Sequence, residues 1–142
     1  MKKVMSFMFG IALMFGVMYS CSEVKVDVKN LDGKWNIVEV DGNEAKAEKQ
    51  PFIEFKIADG RVHGNAGCNT FNAALKPDSH NHSGFTLGMP MSTMMACPDM
   101  QIEQRIMRVL ENIAGVKANK DKSKYDLVDK EGKVVMVIQK QS

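Results

Sequence analysis

The side chains best suited to chemistry carry sulfur, and most of them gather in one stretch. GMPMSTMMACPDM, residues 88–100, holds five methionines and a cysteine in thirteen positions. Met89, Met91, Met94 and Met95 follow the M-x-M and M-x-x-M spacing that holds cuprous or silver ions, because thioether donors suit soft cations. Two other readings compete with metal. Methionine is flexible and fills irregular gaps, which a connection between a sheet and a helix must present; the same run could also be a surface for a partner. Packing asks for no ligand and is the expectation carried forward.

Other chemistry is harder to assemble. His80 and His82 lie in PDSHNHSG, and with Cys68 they would offer imidazole and thiolate to zinc or copper. Their neighbours are turn formers and the spacing matches no established ligand pattern, so a solvated loop is expected and no metal or other cofactor is. Serines 22, 79, 83, 92, 123 and 142 sit in no G-x-S-x-G elbow, and H-E-x-x-H and glycine-rich phosphate loops are absent. The expectation is a protein that is not an enzyme, with no catalytic residue.

The first twenty residues speak of address. Lys2 and Lys3 precede an uncharged run from Val4 to Ser20, the pattern of an export signal peptide over residues 1–20. The run is nearly long enough to span a membrane as a helix, but Val17-Met18-Tyr19-Ser20-Cys21 resembles a bacterial lipobox. Cys21 is therefore expected to carry lipid and to tie the chain to the cell envelope, with Ser22 compatible with the outer membrane. Residues 21–30 read as a tether and 31–140 as one domain, since about 120 residues supply one core and not two. Cleavage before Cys21 leaves 17 of the 19 basic residues and all 17 acidic ones, a balance of zero. Nucleic acid is excluded as a partner, because no basic field remains for phosphate backbones. The expected partners are the membrane, through the lipid, and an envelope protein.

With Cys21 assigned to lipid, Cys68 and Cys97 remain. Two thiols in an exported protein most often pair, the alternative being two separately buried thiols. A bond closing this loop of about 30 residues would stabilise by about 3.5 kcal/mol on chain entropy, less any strain.

The elements that must position these residues are mostly strands. KWNIVEV (34–40), PFIEFKI (51–57), RVHGNAG (61–67), FNAAL (71–75) and GFTLG (84–88) are separated by turn residues such as Asp41-Gly42 and Asp59-Gly60. KYDLVDKEGKVVMVIQK predicts two more around Glu131-Gly132, the second apolar on both faces. From Pro98 to Ala114 the period is helical: Ile102, Ile106, Val109, Leu110 and Ile113 share one stripe. Pro98 would open this helix, Glu103 and Glu111 would lie on its wet face, and Gly115 would stop it. The fold class is α+β, a curled antiparallel sheet, open and barrel-like, with one amphipathic helix.

Trp35 in an early strand, G-x-x-G-C-N at Gly64 to Asn69 followed by Phe71, and T-M-M-A-C at Thr93 to Cys97 before an E-containing helix together resemble the META domain (HslJ-like) family. The resemblance covers roughly Leu31 to Gln139. It implies a β-rich open barrel in an envelope lipoprotein tied to stress resistance rather than catalysis. It places Gly67, Cys68 and Asn69 and Thr93, Met94, Met95, Ala96 and Cys97 on the family's motif positions and names no catalytic residue. On this reading the methionine run leads to Cys97, and Met94 and Met95 fill space around a Cys68–Cys97 staple. The remaining alternatives are a small hydrophobic-ligand binder, with the ligand inside the barrel, and a soft-metal (copper) binder.

Overall fold

Apolar and polar residues alternating between turn dipeptides divide the chain into short strands. The computed structural model describes residues 24–141 and joins ten strands in one antiparallel sheet. They are β1 (Gly33–Val40), β2 (Asn43–Glu44), β3 (Phe52–Lys56), β4 (Arg61–Asn65), β5 (Thr70–Pro77), β6 (Phe85–Leu87), β7 (Met91–Ser92), β8 (Gly115–Ala118), β9 (Lys124–Val128) and β10 (Val134–Lys140). The order is β6-β5-β4-β3-β1-β10-β9-β8, with β2 added beside β1 and β7 beside β5. Register slips between Ile37 and Glu39 of β1 and between Val134 and Met136 of β10, and such bulges increase twist and curl a sheet on itself. The result is a nearly closed barrel.

Its inward positions are filled. Ile37, Ile53, Phe55, Phe71, Phe85, Leu127, Met136 and Ile138 are all fully buried, and Phe55 meets Phe85 edge to face. A hydrophobic ligand enclosed by the strands would have to displace these side chains. Trp35 is buried among them and donates its indole N–H to the Leu31 carbonyl at 2.7 Å.

The barrel's one seam lies where β6 comes up to β8. There Gly84 bridges Gly115, the Phe85 N–H donates to the Ala114 carbonyl at 3.1 Å, and the Val116 N–H donates to the Ser83 carbonyl at 2.9 Å. The crossing is close: a Cβ on Gly115 would stand 2.9 Å from the Ser83 carbonyl oxygen, so only glycine fits without a shift.

One helix, α1 (Gln101–Leu110), packs Ile106, Val109 and Leu110 into the same core. It is shorter at both ends than the 98–114 expected from periodicity. Pro98 stands ahead of the cap residue Met100, and Asp99 receives the Gln101 N–H at 3.0 Å instead. After Leu110 the chain turns, with the Asn112 N–H donating to Val109, and the Ala114 N–H is captured by Val128 of β9 at 2.8 Å. Gly115 therefore opens a strand rather than stopping a helix. Pairing with a distant strand overrides the helical period.

The packed body also begins earlier than Leu31. Val26 and Val28 are buried, a 3-10 turn runs over Val28–Leu31, and the Val28 N–H donates to His82 at 2.9 Å. Residues read as tether thus include two core valines. Residues 1–20, read from the sequence as a signal peptide, and Cys21 and Ser22 lie outside the described residues.

Candidate functional site

The two motif segments meet at one end of α1. β4 ends at Asn65, whose Oδ1 accepts the Gly67 N–H at 2.8 Å, and Gly67 takes φ +107°, a left-handed conformation that suits glycine. This bend turns Cys68 toward Cys97, and the two are joined as a disulfide with Cα atoms 6.2 Å apart, within the ordinary range. A Cβ on Gly64 would overlap the Phe71 ring and the Phe52 carbonyl, which accounts for the first glycine of G-x-x-G-C-N.

Asn69 is the centre of this knot. Its amide donates to Oε1 of Glu103 at 2.8 Å and to the Met95 carbonyl at 3.0 Å, while its Oδ1 accepts the Thr93 hydroxyl and the Met95 N–H, both at 2.8 Å. Its backbone N–H reaches Oε2 of Glu103 at 3.4 Å, and its carbonyl accepts the Ala66 N–H at 3.0 Å. Both donors and both lone-pair directions of the side chain are used, as a buried amide requires. Thr93 continues the network to β5, accepting the Thr70 N–H at 3.2 Å.

Glu103 was expected on the wet face of the helix, yet it is buried, 6 % exposed, as Asn69 is at 2 %. The signal that could have found it is spacing: Glu103, Ile106 and Leu110 fall at i, i+3 and i+7, one face of a helix. Its place in the core also required a partner, and that partner lies 34 residues upstream.

The methionines depart from the packing expectation in the other direction. Met89, Met91, Met94 and Met95 are 83, 76, 94 and 59 % exposed, so Met94 and Met95 do not fill space around the staple. Register explains this. β7 pairs with β5 so that Met91 lies opposite Asn72 and Ser92 opposite Phe71; cross-strand partners share a face, Asn72 faces out and Phe71 faces in. Beyond β7, the bonds from Asn69 to Thr93 and Met95 fix the backbone while the thioethers project outward. Two surface depressions flank Met95. One, of about 360 Å³, includes Gly67, the disulfide and Ile102; the other, of about 280 Å³, includes Thr93, Met94, Met100 and Glu103.

The histidines are not brought to the cysteines. His80 and His82 stand on the loop before the seam, the former on the wall of a separate cavity, and Cys68 is committed to its disulfide. Among the described residues no group of three or more histidine, cysteine, aspartate or glutamate side chains is placed to hold a metal ion.

Comparison with known proteins gives a family and a fold. The META domain model matches residues 27–142. Two solved structures are similar in fold. One is the NMR structure of a protein from Burkholderia xenovorans, with a TM-score of 0.59 and 18% identity over 80% of this chain and 86% of that one. The other is the crystal structure of a DUF4847 family protein from Bacteroides vulgatus, with a TM-score of 0.50 and 15% identity over 79% of this chain and 96% of that one. At such identities the likeness concerns the fold alone. A search of curated proteins returns no match.

Proposed function

The chain belongs to the META domain family, and from that premise we propose that it is a non-enzymatic interaction module of the bacterial cell envelope that contributes to stress resistance. In this reading a lipid on Cys21 holds it to the membrane, in the outer membrane of the cell, and an envelope protein docks on the methionine face. The observation that carries the reading is the exposure of Met89, Met91, Met94 and Met95 on a segment whose backbone is held by Asn69. Exposed apolar side chains gathered in one place mark interaction surfaces, and methionine adapts its shape to a partner.

The test is capture from envelopes of the native host, grown with and without heat or antibiotic stress, by the immobilised protein and by a Met91→Glu/Met94→Glu variant. Wild type should retain a protein that the variant releases, with unchanged thermal unfolding because both side chains are exposed. Equal capture by the two, or none under any condition, would end the proposal. Palmitate labelling that is lost in Cys21→Ser checks the anchor separately. The same exposure also favours a second reading, soft-cation binding by Met91, Met94 and Met95. Cuprous titration in reducing buffer decides it: binding weaker than about micromolar leaves it without support.

A further inference from the structure

The seam carries features that the methionine face does not explain. Beside the Gly84–Gly115 crossing lies a cavity of about 400 Å³ whose wall includes Lys25, His80, Ser83, Lys117 and Lys130. A neighbouring cavity of about 450 Å³ shares Ala114 and Lys130 and adds Lys76. Among the described residues the ion pairs are Lys46–Glu44 and Lys124–Asp121, so none of the four seam lysines is paired with a carboxylate.

The acids of the two walls are Asp78 and Asp129, and both are turned to backbone. Asp78 accepts the His80 N–H at 2.8 Å, and Asp129 accepts the N–H groups of Glu131 and Lys133, each at 2.9 Å. Four lysines against two aspartates leave a surplus of two positive charges.

A second, independent observation concerns Ser83. Its N–H donates to Asn81 and its carbonyl accepts from Val116, but its hydroxyl oxygen is buried without a hydrogen-bond partner, the one such side-chain atom among the described residues. Buried polar atoms are nearly always paired, so an exception points to a missing group. Rotation about χ1 carries a serine hydroxyl between staggered positions and can bring this one toward the cavity it borders.

The geometry points to an anion site at the seam, one that takes a phosphate group. Lysines Lys25, Lys117 and Lys130 act as point charges and Ser83 donates a hydrogen bond, a donor set dispersed enough to meet several oxygens of one group. Val24 borders the same cavity, three residues beyond Cys21. If the lipid-anchor reading holds, the seam therefore lies close to phospholipid head groups; binding of phosphate itself does not depend on that reading, nor on the methionine face.

The experiment uses full-length protein in detergent, titrated with inorganic phosphate at constant ionic strength while the amide signals of Gly84 and Gly115 are followed. Saturable shifts are expected, with affinity about tenfold weaker in Lys117→Gln/Lys130→Gln and about threefold weaker in Ser83→Ala. Lys46→Gln/Lys124→Gln, which alters as much charge elsewhere, should bind as wild type does. A second arm measures hydrogen exchange at the seam in phosphatidylglycerol and phosphatidylcholine nanodiscs. Protection in phosphatidylglycerol without added phosphate identifies a lipid head group, and protection that appears only with added phosphate identifies the free anion. Shifts that fail to saturate, that chloride reproduces, or that survive in the seam lysine variant overturn the proposal.

Discussion

The knot around Asn69 and the seam around Gly115 are both places where polar groups enter the barrel wall, and they are built on opposite terms. At the knot each polar atom of the Asn69 side chain has a partner, Glu103 is held from two directions, and a covalent bond clamps the segments. At the seam one glycine pair and two hydrogen bonds join the strands, a hydroxyl is left over and the lysines are unpaired. The contrast separates two uses of polar chemistry. A saturated network has nothing to offer a ligand and serves to hold backbone in place; an unsaturated one is less firm and is free to respond.

The largest test of this contrast is Asn69→Asp. It keeps the shape but removes both amide donors and turns oxygen toward the Glu103 carboxyl, so unfolding free energy should fall by about 3–5 kcal/mol. Denaturant titration would show it, and a loss below about 1 kcal/mol would mean that the network does not hold the fold. Next is Cys68→Ala/Cys97→Ala, expected to cost about 3 kcal/mol through the freed chain. The same measurement under reductant should reach a similar value in wild type, and an unchanged midpoint would show the clamp to be idle. Gly115→Ala should have the smallest effect, about 1–2 kcal/mol from crowding the Ser83 carbonyl, and it should act locally. Hydrogen exchange at Phe85 and Val116 should quicken while exchange in β1 and β10 stays slow. Uniform acceleration everywhere would show the seam to be as integral as the knot.

Much of the fold was legible in the residues. Ile53, Phe55 and Ile57 alternate with polar neighbours, Val135 to Ile138 are buried in succession as an apolar run demands, and turn dipeptides separate the strands. Cys68 and Cys97 are joined, the more usual of the two outcomes that an expected export and three cysteines left open. What could not be read was set by partners far away in sequence. Glu103 is buried because Asn69 waits for it, Gly115 becomes strand because β9 captures the preceding amide, and Met91 faces out because of where β7 registers on β5. A shift of one residue in that register would turn Met91 inward and Ser92 outward, and nothing in GMPMSTMMACPDM reveals which alignment is taken. Val26 and Val28 are a different case: with Val24 they alternate with Lys25, Asp27 and Lys29, a two-residue period that marks one buried face, although Val24 itself stays exposed.

β1 lies between β3 and β10, and Asn36 is hydrogen-bonded to Gln141 at 2.6 Å across 105 positions of chain. One edge of β1 therefore lacks its β10 neighbour until the ribosome has added the residues through Lys140. Until then the Trp35 strand has an unpaired edge, and edges of that kind invite foreign strands. A stop codon just before Val134 would strip the strand around which the others are arranged of its neighbour, so truncation at that point should yield aggregates rather than a smaller barrel.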